Sequence, residues 1–216
     1  MGREPVVHII GLAAQAPTRG GRLSSNVRPH EVNSSARHHA RTAFFGLVTS
    51  VIGITTSAIG AEVAIQAPNV VPISPMLVTA GQPTADALTK LSEHGFMAVI
   101  YLAPPTVQDA VPGEAEIVRK QGLEFVNIPV QFGNPTEADF ESFVQVMKRL
   151  TGRKVLVHCQ VNMRASSFTF LYRVVVNKEK PEQAYESVAK VWSPEGPWKS
   201  LLVVQLRKAG IPFEPY

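Results

Sequence analysis

The sequence predicts an α/β fold in which a parallel sheet is flanked by helices. Three observations carry that prediction. Short apolar runs bounded by turn residues alternate with segments of helical periodicity. Glycines follow the helical segments as stop signals. The chain has 216 residues, 45% of them hydrophobic, which is enough for one domain with a sizeable core and short for two. That domain is expected over 67–216. Regular alternation of strand and helix favours parallel strands, because each crossover helix covers a face of the sheet.

The first strand is expected at Met76–Thr79. In PTADALTKLSEHG, Thr84 caps a helix, Leu88 and Leu91 share a face, and Gly95 stops it. A second strand, Ala98–Leu102, leads into the loop LAPPTVQDAVPGE. GEAEIVRKQG then reads as a helix ending at Gly122, followed by a strand over Leu123–Ile128. In NPTEADFESFVQVMKRLTG, Thr136 is the cap and Glu137 and Asp139 face the positive end of the helix dipole. Phe140, Phe143, Val144 and Met147 form its buried stripe. The last strand, Val155–His158, precedes a short polar loop and a helix from about Arg164 or Ala165 to Asn177. Near the C-terminus, VWSPEGPW sets Trp192 and Trp198 among prolines, as a cap over the core or as a rim facing a ligand.

Residues 1–41 are rich in Arg, Ser, Gly and His without periodicity, and read as a disordered arm or as sequence upstream of the true start. Residues 42–61 form an uncharged run behind Arg37 and Arg41 and end in small residues, the order of a cleaved export signal. An uncleaved membrane anchor and a buried helix are the alternatives. The protein is thus expected outside the cytoplasm or on a membrane through 42–61, and in the cytoplasm if the run is not a signal.

The formal net charge is +4, but Arg3, Arg19, Arg22, Arg28, Arg37 and Arg41 all precede position 42. The rest is nearly balanced, so no nucleic-acid partner is implied. A single cysteine excludes an internal disulfide, and no cluster has the spacing of a structural zinc site, so neither metal nor cofactor is expected.

That cysteine stands in VLVHCQVNMRASSF, Val155 to Phe168. The pattern of strand, His158, Cys159, polar loop and helix places the thiol at the carboxyl end of a sheet strand, where such folds keep a ligand crevice. A helix N-terminus offers unpaired N–H groups and a partial positive charge, suited to a phosphate or sulfate. The same field favours thiolate over thiol, so a reactive, solvent-reachable sulfur is expected. Arg164 can add a planar fork for two anion oxygens. Against this stands plain packing, since a cysteine at the end of a core strand is commonly buried. His158 by itself reads better as a strand-end residue than as a base.

HCQVNMRAS resembles the HCxxGxxRS loop of cysteine-dependent tyrosine and dual-specificity phosphatases. TAGQPTADALTKLSEHGFMAVIYL and FVNIPVQFGNPT resemble the GQP and IPV segments of its bacterial branch, the beta-lactamase-hydrolase-like phosphatases. The resemblance runs from about Pro75 to Asn177. It implies a cysteine-phosphatase-like sheet and hydrolysis of a phosphorylated protein or small phosphoester in two steps, with a phosphocysteine between them. Carried over position by position, it makes Cys159 the nucleophile, Arg164 the clamp, and His158, Gln160, Val161, Asn162, Met163, Ala165 and Ser166 the rest of the anion loop.

Two departures qualify the resemblance. Arg164 follows Cys159 by five positions, one fewer than in the family loop. Without a gap, Ala165 occupies the arginine position, Asn162 the glycine position, and Ser166 the hydroxyl that reaches the sulfur, with the helix beginning near Ala165. This is the favoured arrangement. A loop one residue tighter would keep Arg164 as the clamp and resemble a rhodanese-like sulfurtransferase. The second departure is the general acid, an Asp after the IPV strand in the family, where this chain has Gln131 and Phe132. Asp139 is the nearest candidate, although it also serves the helix start, and Asp109 in the loop after the second strand is an alternative. A phosphate-binding pseudophosphatase is the non-enzymatic reading.

Overall fold

The computed structural model describes residues 65–216. The arm at 1–41 and the run at 42–61 lie outside the described residues, and with them the export and anchor readings. Among the described residues, no helix is long and apolar enough to cross a membrane.

Five strands, β1 (Val71–Ser74), β2 (Leu77–Ala80), β3 (Ala98–Tyr101), β4 (Glu124–Asn127) and β5 (Val155–His158), form one sheet in the order β1-β2-β5-β3-β4. Between and after them run α1 (Ala85–Thr89), α2 (Glu114–Lys120), α3 (Glu137–Arg149), α4 (Met163–Leu171), α5 (Pro181–Ala189) and α6 (Gly196–Lys208). A π-helical turn, Tyr172–Val176, extends α4.

The sheet is mostly parallel and flanked by helices, as the sequence predicted, with one exception at its edge. β2, β5, β3 and β4 run parallel, but β1 pairs antiparallel with β2. Only Pro75 and Met76 separate β1 from β2, too few for a crossover, so the pair can only be a hairpin. β1 escaped the sequence reading because Pro72 interrupts it. A proline lacks the N–H for a ladder and is tolerated at an edge, and here the register shifts between Pro72 and Ser74.

Alternate residues of the central strands feed two cores. Val78, Ala80, Val99 and Leu156 pack with Leu88 and Leu91 on one face, and with Val118 of α2. Ala98, Ile100, Val155 and Val157 meet Phe140, Phe143, Phe168 and Trp198 on the other. The predicted stripe of α3 therefore faces the sheet, with Val144 only partly buried. Phe168 stands at the middle of this layer, 5.4 to 5.7 Å from the rings of Trp198, Phe140 and Phe143. β5 lies between β2 and β3 and is buried throughout, so its carboxyl end is fixed from both sides.

Candidate active site

Cys159 follows β5 directly, and its amide donates to Ala80 O at 3.3 Å. The chain then turns at Asn162, whose left-handed backbone (φ 71°, ψ −2°) opens α4 at Met163. Asparagine tolerates this conformation better than most residues, which explains how it serves at a glycine position. Its side chain does not cap α4 but donates to Asn69 O at 2.6 Å and to Thr79 Oγ1 at 3.1 Å. Among the described residues the first-turn amides of α4, four positions after the cysteine, are thus left without a side-chain cap from Asn162.

The loop is the tighter of the two arrangements, which corrects the gapless reading. α4 begins at Met163 and not near Ala165. Ser166 lies within the helix, where its amide bonds Asn162 O at 2.8 Å and its hydroxyl donates to Met163 O at 3.2 Å, not to the cysteine. Ala165 is buried in the core. Arg164 sits in the first turn of α4 and is buried, its Nε donating to Val130 O at 3.0 Å and its Nη1 to Gln160 Oε1 at 3.3 Å. Its guanidinium lies 5.0 Å from the Phe132 ring centroid, and Nη2 makes no hydrogen bond among the described residues.

A correction also applies to Cys159, which has no exposed surface in this arrangement and is not solvent-reachable as expected. Val161 is exposed and pinned by an isolated bridge to Gly81, while Gln160 O accepts from Gln82 N at 2.9 Å. A Cβ on Gly81 would stand 2.7 Å from Gln160 O and 2.9 Å from Pro68 Cβ, so only glycine fits against the loop there. The GQP segment is therefore a buttress of the cysteine loop.

His158 belongs behind the loop, not in it. Its ring stacks on Tyr101 (4.7 Å, 15°), and Nε2 lies 2.7 Å from Glu114 Oε1. Neither atom has another partner among the described residues. Glu114 is itself buried and accepts from Gln82 Nε2 at 2.9 Å. Glu114 and Gln82 were missed in the sequence; the glutamine of GQP was the one available signal. Burial first, then the charges of Glu114, Asp109 and Cys159, push the Tyr101 phenol up to about 12, with Arg164 opposing.

The carboxylates sort by their partners. Asp139 Oδ2 accepts from Thr136 N at 2.9 Å and from Thr136 Oγ1 at 2.7 Å, while Asp139 N donates to Thr136 Oγ1 at 3.1 Å. This reciprocal capping box occupies the candidate acid with holding the start of α3, and among the described residues no hydrogen bond ties it to the cysteine loop. Asp109 does contact the loop: Gln160 Nε2 donates to its Oδ1 at 2.8 Å. Arg173 donates to Glu179, Ala184 O and Ser187. Trp198 is a core residue, and its Nε1 donates to Phe132 O at 2.8 Å. With Trp192, Phe132 and Met163 it also lines a groove of about 530 Å³ beside the loop, so both readings of VWSPEGPW contain part of the answer.

A mostly parallel sheet ending in one cysteine, followed by an uncapped helix that carries an arginine, defines a cysteine-based phosphatase of the dual-specificity and tyrosine phosphatase class. Residues 71–200 match the family model described as DSP-PTPase phosphatase fused to NAD+ kinase, and the chain belongs to that family. It is similar to a candidate phosphatase (DUF442) from Shewanella putrefaciens CN-32, with 31% identity, 66% of this chain and 91% of that one covered, and a TM-score of 0.61. Tk-PTP in its active form shares the fold at 18% identity and a TM-score of 0.53, covering 66% of this chain and 96% of its own. PTPMT1, in complex with PI(5)P, does so at 20% identity and a TM-score of 0.55, covering 65% of this chain and 96% of its own. None of the curated proteins matches this chain. The tight loop does not carry the sulfurtransferase reading with it, because family and neighbours are phosphatases.

Proposed function

We propose that this chain hydrolyses phosphate monoesters by transferring the phosphoryl group to Cys159 and then to water. The carrying observation is the uncapped first turn of α4 directly after the cysteine, with Arg164 in that turn. The thiolate attacks phosphorus in line with the leaving oxygen. Loop amides and the Arg164 fork take up the three non-bridging oxygens, where charge is held as the bonds exchange. Water then attacks the phosphocysteine, releasing phosphate and restoring the thiolate.

Because Cys159 is covered, the phosphoryl group must displace the ties that close the loop. The bond from Arg164 Nη1 to Gln160 Oε1 is such a tie, and phosphate oxygens can replace Gln160 as the partner of Arg164 while Gln160 keeps its bond to Asp109. The groove of Phe132, Met163, Trp192 and Trp198 suits an apolar or aromatic group on the ester, which includes a phosphorylated protein side chain and small aryl phosphates.

The test is phosphate release from an aryl phosphate by the purified chain, beside thiocyanate formation from thiosulfate and cyanide. Phosphate release that vanishes in Cys159→Ser, with a phosphoryl adduct on Cys159 in quenched wild type, is the expected result. Release that survives Cys159→Ser, or thiocyanate formation instead, refutes the proposal.

A further inference from the structure

Departure of an ester oxygen needs a proton, and the loop after β4, with Gln131 and Phe132, has no acid to give. Glu195 lines the groove beside the loop, but among the described residues no hydrogen bond ties its carboxylate to the cysteine loop. Asp139 is held in its capping box, Glu137 is paired with Lys208, and Glu114 is buried between His158 and Gln82. One further carboxylate is bonded to the cysteine loop. Asp109, on the loop between β3 and α2, is exposed and accepts from Gln160 Nε2 at 2.8 Å, and Gln160 Oε1 in turn accepts from Arg164 Nη1 at 3.3 Å.

We infer that Asp109 is the proton donor to the leaving oxygen, supplied from the β3–α2 loop and held over the cysteine loop by Gln160. The inference rests on the phosphoester reading given above. Gln160 is the residue next to Cys159, so a carboxylate tied to its side chain stands at the rim of the loop. In-line attack requires the leaving oxygen to point outward from the sulfur, toward that rim. Gln160 donates to Oδ1, which leaves Oδ2 to carry the proton. As the sulfur–phosphorus bond forms, the phosphorus–oxygen bond breaks and its electron pair goes to the leaving oxygen, which takes the Oδ2 proton. In the second step the Asp109 carboxylate takes a proton from the attacking water, phosphorus–sulfur cleavage returns the thiolate, and the acid is restored.

The role makes a demand that a structural one does not: the need for a proton donor grows as the leaving group becomes more basic. The experiment compares wild type, Asp109→Asn and Gln160→Ala in the full chain. The substrates are 4-nitrophenyl phosphate, phenyl phosphate and an alkyl phosphate, with far-UV circular dichroism to follow folding. Asp109→Asn is expected to lose on the order of 10² in kcat/KM with phenyl phosphate and less than tenfold with the nitrophenyl ester. The alkaline limb of its pH profile should flatten. Gln160→Ala should show the same leaving-group dependence to a smaller degree. An equal loss across the series, or none, overturns the assignment of Asp109 and leaves the hydrolase reading standing. No phosphate release by wild type above Cys159→Ser overturns both.

Discussion

Replacing Asn162 tests the turn that joins the cysteine to α4. Its buried side chain makes two hydrogen bonds, to Asn69 O at 2.6 Å and Thr79 Oγ1 at 3.1 Å, while its backbone holds φ at 71°. Each bond contributes about 1 kcal/mol net, so Gly and Ala variants both lose about 2 kcal/mol. Only alanine is also strained, by about 1–2 kcal/mol in the left-handed region. Glycine gives back roughly 0.4–1 kcal/mol through its freer unfolded chain. Asn162→Gly should therefore be about 2–3 kcal/mol less stable than wild type, and Asn162→Ala about 1 kcal/mol less stable again. In a domain of this size that last step is a melting shift of roughly 2–4 °C. Urea unfolding followed by tryptophan fluorescence measures both variants, and aryl phosphatase activity should survive better in the glycine variant. If the two variants have equal stability, or either lies within about 0.5 kcal/mol of wild type, the hydrogen bonds and the left-handed turn do not hold the loop.

Ser166→Ala should change kcat/KM less than tenfold, because the hydroxyl is spent on Met163 O; a hundredfold loss would restore it to the chemistry. Asp139→Asn should lower stability by about 1 kcal/mol through the capping box and activity less than tenfold, read by urea unfolding and steady-state kinetics. Arg164→Lys should cost on the order of 10² in kcat/KM, since an ammonium cannot hold Val130 O and two phosphate oxygens together as the planar fork does. Raised phenol values at Tyr101, Tyr172 and Tyr185 mean that the unfolded chain releases protons first in alkali. Stability is then retained below about pH 10 and falls as pH rises toward 12, and Tyr101→Phe should make that fall shallower in a pH series of urea midpoints.

The sequence by itself determined what depends on neighbours along the chain. Four strands and the caps at Thr84 and Thr136 are set by local apolar runs and by hydroxyls three positions before an amide. The order of strand, cysteine and helix, and hence the candidate anion site, was legible for the same reason. What only the tertiary structure decided depends on chain segments brought together from far apart. β1 forms despite Pro72 because β2 offers it an edge. The loop closes in the tight form because Asn69 and Thr79, some ninety and eighty positions earlier, hold the Asn162 side chain and allow α4 to start at Met163. Gly81 and Gln82 gain meaning only where the loop presses on them, and Glu114 only where α2 lays it against His158. Burial of a carboxylate and of a thiol is a property of surrounding chain, which no spacing along the sequence records.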